Sequence, residues 1–289
     1  MKSVVIIGSN GQLGSDLVKI FQKSEWKVNS LTHSDIQVED LDSVQKSLTQ
    51  CKADWIINTA AYHKVDDCEK NPEKSWLINA RGPENIARVA KSMKAKVAFI
   101  STDYVFSGDK PIGTAYFPTD KISPINVYGH SKAAGEIATQ MANEQNLVVR
   151  ISSVFGSAGS SGKGGNFVET ILKKAHLNEH MHIVDDMHMS PTYTVDASSI
   201  IQNSINQGVN GTIHASNIGS TTWFEFAEEI LKLTGIKSEV NRIETNWGAI
   251  PKRPRNSALG VDLNLADPKI HQTWQDGLAR YLIEKGHMS

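Results

Sequence analysis

Val4-Val5-Ile6-Ile7-Gly8-Ser9-Asn10-Gly11-Gln12-Leu13-Gly14 is a continuous apolar run that passes directly into glycine at every third position. Four consecutive β-branched residues predict a short strand buried on both faces of a parallel sheet, since a half-exposed strand would alternate. Leu13, Leu17, Ile20 and Phe21 then recur at helical spacing from Gln12 to Lys23, which puts a helix N-terminus beside the strand's carboxyl end. The glycines permit a tight turn and close backbone approach, and the first helical amides, at the positive end of the helix dipole, form a place for a pyrophosphate. A plain strand-to-helix loop uses the same glycines; the strand before and the helix after are what favour a dinucleotide. Gly8, Asn10, Gly11, Gln12, Leu13 and Gly14 are the expected cofactor contacts.

A second strand, Lys27 to Leu31, ends where an NAD enzyme commonly carries Asp or Glu for the adenosine ribose. Here the chain reads Thr32-His33-Ser34. With no carboxylate to repel a 2′-phosphate, NADPH is favoured, or NADPH and NADH are both accepted. His33 is the expected ribose neighbour or a solvated loop residue, and Asp35 lies close by.

Tyr128 and Lys132 are four apart in Tyr128-Gly129-His130-Ser131-Lys132, so on a helix they share a face. A free phenol has a pKa of about 10, and a neighbouring ammonium favours its ionised form. The pair therefore suits proton transfer to a carbonyl oxygen while a reduced nicotinamide delivers hydride, with Lys132 also placed to hold the nicotinamide ribose. Taken alone, the spacing also fits an ordinary amphipathic surface. Upstream, Val97-Ala98-Phe99-Ile100 predicts another buried strand that delivers Ser101-Thr102-Asp103 to the same sheet edge. The Thr102 hydroxyl there can bond the reacting oxygen, or simply cap a turn.

The stretches Gly8 to Gly14, Asn58 to Tyr62, Asn79 to Asn85, Ser101 to Phe106, Pro124 to Lys132, Ser190 to Thr192 and Arg253 to Ser257 together resemble the extended short-chain dehydrogenases. Within them the chain is similar to the dTDP-4-dehydrorhamnose reductase family, over nearly its whole length. That resemblance implies Thr102, Tyr128 and Lys132 as catalytic triad. It implies Asn58, Ala60, Ala61 and Asn79 on the cofactor side, and Asp103, Tyr104, Val105 and Phe106 along the sugar. Arg253 is favoured for the nucleotide diphosphate, because a guanidinium binds phosphate oxygens bidentately, with Arg255 a solvated loop charge. Asn166 is either a substrate hydrogen-bond partner or the cap of the helix that starts at Phe167.

Four positions at three sites depart from the family pattern: Ser153 where these reductases usually carry Trp, His63-Lys64 in place of Thr-Ala, and Gly260 in place of Asp. They bear on substrate shape, and Ser153 is retained as a substrate-contact position. Two other classes share the scaffold. A nucleotide-sugar dehydratase would be expected to read Thr-Asp-Glu where this chain has Tyr104, and epimerases belong with it. A noncatalytic NADP-binding regulatory subunit, like the beta subunit of methionine adenosyltransferase, has no need of Tyr128 and Lys132.

The expected fold class is α/β, a Rossmann-type doubly wound parallel sheet with a smaller C-terminal substrate-binding lobe. Residues 1–152 form the expected dinucleotide-binding part, with a return segment near 186–215, and 153–185 and 216–289 the lobe. Ser157 to Gly165, rich in glycine and serine, is expected to be a flexible loop over the substrate entrance. Trp223 to Leu233 is expected as a lobe helix. His180, His182, Asp185, Asp186 and His188 have the chemistry of metal ligands, but flank Ile183-Val184 as on an ordinary strand, and no metal is called for. The 289 residues carry 30 basic and 31 acidic side chains, a net charge of −1 that offers no field for nucleic acid. The opening apolar strand is far too short for a membrane span. Cys51 and Cys68 fit reduced thiols, and a cytoplasmic location follows from the set. A nucleotide-sugar partner is expected, with monomer and homodimer both open.

Overall fold

A computed structural model describes residues 1–158, 165–261 and 269–288. Strand β1 (Ser3–Ile7) is buried along its whole length. It lies inside a six-stranded sheet with β2 (Lys27–Leu31), β3 (Trp55–Asn58), β4 (Lys96–Thr102), β5 (Leu147–Ile151) and β10 (Gly211–His214). The spatial order is β2-β1-β3-β4-β5-β10, with every pairing parallel. Successive β1 side chains feed opposite faces. Val4 and Ile6 join Leu13, Leu17 and Phe21 of α1 (Gln12–Gln22), together with Ile200 and Ile201 of α8 (Thr194–Asn206). Val5 and Ile7 join Val44 and Leu48 of α2 (Leu41–Thr49), and Ile86 and Val89 of α5 (Gly82–Ser92). Both faces are thus covered, which is why β1 reads as a continuous apolar run.

The chain passes from β1 to β2 on one side and then crosses to β3 on the other. Such a reversal opens a crevice at the carboxyl ends of β1 and β3, the usual ligand position in an open α/β sheet. Between β3 and α5 come α3 (Val65–Lys70), α4 (Pro72–Trp76) and a π-helical turn, Leu77–Arg81. The long helix α6 (Val127–Ala142) packs against β4 and α5.

Beyond β5 the chain builds a second core through β6 (Val154–Phe155), α7 (Phe167–His176), β7 (Met181–Val184), β8 (His188–Met189) and β9 (Thr192–Tyr193). It then returns to the sheet with α8 and β10, and leaves again through β11 (Thr221–Thr222), α9 (Trp223–Thr234), β12 (Val240–Ile243) and α10 (Trp274–Glu284). Phe155, Ile171, Leu172, Phe226, Ile230, Leu278 and Tyr281 are buried together in this lobe. Helix α9 covers the expected Trp223 to Leu233, and starts at a full capping box in which Thr222 and Glu225 satisfy each other's backbone amides. The return helix α8 is fastened to α1 and the connection after it, the Thr194 hydroxyl donating to Asp16 Oδ2 at 2.6 Å and Trp26 Nε1 to Asn206 Oδ1 at 3.1 Å.

Among the described residues no helix is long and apolar enough to cross a membrane, and no group of three or more His, Cys, Asp or Glu could hold a metal ion. Asp185 pairs with Arg242, and Asp186 accepts from Thr245 and Trp247. Cys51 and Cys68 are free thiols, each donating to a backbone carbonyl.

Candidate active site

The turn after β1 is shaped by backbone approach. Gly8 has φ +78°, its amide donates to the Leu31 carbonyl at 2.8 Å, and the Thr59 hydroxyl holds the Ile7 carbonyl at 2.7 Å. A β-carbon on Gly14 would stand 2.1 Å from the Gly8 carbonyl oxygen, so only glycine lets α1 pack this close. Helix α1 starts with no side-chain cap and no acidic residue in its first turn. Its leading amides and dipole therefore face whatever anion enters.

A cavity of about 340 Å³ opens on that helix end, lined by Gly8, Asn10, Gly11, Gln12, Leu13 and Gly14, with Thr32, His33, Ala60 and Ala61. Thr32 donates both its amide and its hydroxyl to Asp35 Oδ2, at 2.8 and 2.7 Å, so that carboxylate is engaged in its own turn. Asp35 is not among the lining residues, and His33 is. Asn58 is 1% exposed; its Oδ1 accepts from the Ala60 amide, and its Nδ2 has no partner. The donor-rich turn, the apolar walls and this unpaired amide fit a dinucleotide; the pyrophosphate would rest on the α1 end and a ribose near Thr32 and His33.

Asn79 corrects the expectation that it faces the cofactor. It is fully buried on the π-helical turn, where its Oδ1 accepts from the Tyr62 amide at 2.8 Å and its Nδ2 donates to the Tyr62 carbonyl and the Ser131 hydroxyl. It clamps the loop after β3 to α6, and so acts on the cavity wall from behind.

The cavity continues past Gln12, His63, Ile151 and Val154 into a second of about 580 Å³, where Thr102, Asp103, Tyr104, Tyr128, Ser153, Asn166 and Phe167 meet. Strand β4 ends at Thr102, which caps the short 3-10 turn Asp103–Val105 through the Tyr104 amide. Helix α6 begins one residue before Tyr128, at an Asn126 cap whose Oδ1 accepts from the Gly129 amide at 2.8 Å. These two starts bring the Tyr128 phenol against the Thr102 hydroxyl. Burial raises the phenol above its ordinary range, and the Thr102 hydrogen bond pulls it back in part.

Lys132 shares the helix face with Tyr128, yet its ammonium goes elsewhere than the spacing predicts. Nζ donates to the Ile100 carbonyl at 2.6 Å and stands 4.1 Å from the centre of the Phe99 ring. Burial lowers it to about 7. The pairing that the spacing brings about is one of shared helix face, with both side chains at the carboxyl end of β4.

Asp103 is 4% exposed and held by three hydroxyls: Thr102 donates to Oδ1 at 2.9 Å, and Ser152 and Ser257 donate to Oδ2 at 2.9 and 2.6 Å. Burial pushes its carboxyl up while the three donors pull the other way. Val105 and Phe106 correct the expectation that they border the sugar. Both are fully buried in a small core with Tyr116, Ala133 and Leu259, where Phe106 stacks on Tyr116. They back the active strand rather than line the cavity. Asn166 serves as the α7 cap, its Oδ1 accepting from the Glu169 amide and its Nδ2 donating to the Gly156 carbonyl and the Tyr281 hydroxyl. Ser153 takes φ +44°, a left-handed conformation rare for a residue with a β-carbon. Gly260 lies away from the cleft against the Phe117 ring. The loop expected over the entrance has its central residues, 159–164, outside the described residues.

Past Lys64, Tyr104, Phe167 and Trp223 a third cavity of about 1130 Å³ holds Arg253 and Arg255. Arg253 Nη2 pairs with Asp66 at 2.8 Å, and the Arg255 guanidinium lies 4.5 Å over the Trp247 ring. Sequence reasoning passed over Ser152 and Ser257 as carboxylate holders. Ser257 was visible in the Arg253 to Ser257 stretch, but its partner is 154 residues away.

Residues 1–286 match the model of the RmlD substrate binding domain. The chain belongs to the RmlD family. Among RmlD-like relatives, the spore coat polysaccharide biosynthesis protein SpsK of Bacillus subtilis is 33% identical over 288 residues, 99% of this chain and 98% of that protein. The dTDP-4-dehydrorhamnose reductase of Escherichia coli K12 is 31% identical, over 98% and 97% of the two chains. A crystal structure of dTDP-4-dehydrorhamnose reductase from Bacillus anthracis in complex with NADP superposes with a TM-score of 0.91 at 35% identity, covering 98% of this chain and 100% of that one.

Proposed function

We propose that this RmlD-family chain is an NADPH-dependent reductase that converts the 4-keto group of a dTDP-linked deoxysugar, dTDP-4-dehydrorhamnose, to the alcohol of dTDP-L-rhamnose. The observation that carries it is the Thr102 and Tyr128 hydroxyls meeting on the wall of one cavity that runs on from the glycine turn. Relatives named for that reaction, and a structural neighbour in complex with NADP, support the substrate and the cofactor.

Bound reduced nicotinamide supplies the hydride. The chain's own groups handle the proton and the orientation. Tyr128, kept protonated at neutral pH by burial, donates to the sugar oxygen as negative charge develops there. In the free chain the Thr102 hydroxyl donates its one proton to Asp103; with substrate bound it would turn to donate to the same sugar oxygen. Lys132 presents a buried ammonium on the Tyr128 face of α6, and Arg253 is assigned to the diphosphate.

The same proposal divides the chain into a cofactor part, 1–152 with the return segment 186–215, and a substrate part, 153–185 with 216–289. The separate cores around β1 and around Phe155 support that division. It also takes the enzyme to be cytoplasmic, without a nucleic-acid partner. Light scattering separates monomer from homodimer. The test of function is the loss of NADPH absorbance at 340 nm on mixing the purified protein with a panel of 4-keto sugar nucleotides. Turnover with free NADPH and none with UDP-linked hexoses is expected. Tightly retained NAD with no net consumption would identify an epimerase instead.

A further inference from the structure

Strands β7 and β12 run parallel and end side by side at Val184 and Ile243, the Asp185 amide donating to the Ile243 carbonyl at 3.1 Å. This register brings Asp186 to the loop that leaves β12. The loop wraps its carboxylate: the Thr245 hydroxyl donates to Oδ1 at 2.6 Å, the Thr245 amide to Oδ2 at 3.0 Å, and Trp247 Nε1 to Oδ2 at 2.9 Å. Asn246 closes the turn beyond, its Oδ1 accepting from the Gly248 amide at 3.1 Å. The Arg255 guanidinium, 4.5 Å from the ring centre, covers one face of the indole. Trp247 is therefore fixed at its edge and on one face, in a loop where Asn246, Gly248, Ala249 and Ile250 are all exposed. It is half-buried and joins none of the hydrophobic cores among the described residues. Core packing gives no reason for so firmly held a ring, and the ring lines the cavity of about 1130 Å³.

We propose that Trp247 is the platform on which the nucleobase of the substrate stacks, with Asp186 and Arg255 as its positioning residues. The proposal deepens the reductase function and rests on it. Tyr104, Phe167 and Trp223 line both the catalytic cavity and the outer one, so they mark the passage between the two. Arg253 adjoins that passage through a hydrogen bond to the Tyr104 phenol, and like Trp247 it lines the outer cavity without reaching the catalytic one. With the reacting sugar at Thr102 and Tyr128 and the diphosphate on Arg253, the nucleoside is the part of the ligand left for the outer cavity. A base presents a flat π face that stacks on an aromatic ring whatever its hydrogen-bonding edge. The Trp247 face opposite Arg255 thus favours a nucleoside diphosphate over a phosphate that carries no base. An indole already held in place loses little freedom when the base arrives.

Calorimetric titration of the full chain tests this, with dTDP and with inorganic pyrophosphate as probes and NADP⁺ saturating the glycine turn. Wild type, Trp247→Leu and Trp247→Phe are compared. Leucine keeps an apolar side chain without a π face; phenylalanine restores the face without a donor for Asp186. Trp247→Leu is expected to bind dTDP roughly 5- to 150-fold more weakly, the range that one base stacked on one ring is worth. Pyrophosphate and NADP⁺ bind as in wild type, and Trp247→Phe recovers part of the loss. Unchanged dTDP affinity in Trp247→Leu overturns the platform. So does an equal loss for dTDP and pyrophosphate, the result of a loop collapsed around Arg253. If Trp247→Leu does not fold, quenching of tryptophan fluorescence by dTDP decides: it is expected to be smaller in Trp247→Phe than in wild type, and equal quenching overturns the platform. UDP, ADP and GDP separate platform from function. A protein that ignores dTDP but binds another nucleoside diphosphate through Trp247 keeps the platform and loses the dTDP-sugar substrate. Binding of dTDP without dependence on Trp247 leaves the substrate and removes the platform, and binding of no nucleoside diphosphate removes both.

Discussion

In the proposed reduction, proton delivery turns on Tyr128. Its ring is edge-on to Tyr104 at 6.0 Å between centroids, so Tyr128→Phe keeps that packing and removes only the hydroxyl. Turnover is expected to fall by about 10²–10⁴, the usual worth of a general acid, with NADPH affinity unchanged. Stopped-flow reduction and fluorescence titration of NADPH measure the two separately. Lys132→Ala makes a different prediction. The buried ammonium braces the Ile100 carbonyl from the same helix face as Tyr128, so its loss is expected to weaken NADPH binding and to slow reduction together. A Lys132→Ala protein with normal NADPH affinity would show that this ammonium takes no part in holding the cofactor.

At the scale of elements, the proposed function makes the glycine turn and α1 one anion-binding device. Gly14→Ala forces a β-carbon to within 2.1 Å of the Gly8 carbonyl oxygen, so α1 must shift away from β1. A loss of about 1–3 kcal/mol in stability is expected from the overpacking, with at least tenfold weaker NADPH binding in a protein that still folds. Thermal melts and fluorescence titration check both, and unchanged affinity would remove the helix end from the phosphate site. How much of this was legible follows from what each element requires. The turn, α1 and the Tyr128–Lys132 face could be read because strand burial and helical period are local properties of adjacent residues. β4 was legible for the same reason, being a buried run. β6, β8, β9 and β11, two residues each, are too short to show a period and exist through partners far along the chain. The π-helical turn gave no signal, and Asn79 was assigned to the wrong side because its partners come from Tyr62 and Ser131. The Val105 and Phe106 stretch pointed to the right place in the fold, but which side of the strand end each faces depends on Tyr116 and Leu259, supplied by distant loops.

For the whole molecule, the cleft is the seam between two cores. Gln12, from the sheet side, accepts at Oε1 from the Gly156 amide at 3.1 Å, and Val154 and Phe155 lead directly from the cavity wall into the lobe core. A dinucleotide in that seam touches residues that come together only in the folded chain, so binding stabilises the native state by mass action. At a concentration about 100-fold above its dissociation constant, a ligand adds about 2.7 kcal/mol. For a chain of this size that corresponds to a rise in Tm of roughly 5 °C. Saturating NADPH is therefore expected to raise the melting temperature by about that much, and a dTDP-sugar to raise it again through the cavity of Arg253. With Thr32 and His33 where an NAD enzyme places a carboxylate, and Asp35 engaged by Thr32, NADPH should give the larger shift than NADH at equal concentration. Differential scanning fluorimetry with each cofactor alone, and then with dTDP and UDP added, reads all of these from one sample. A larger shift with NADH would return the ribose edge to a carboxylate-independent NAD site, and a shift with UDP equal to that with dTDP would leave the nucleotide base unread by this cleft.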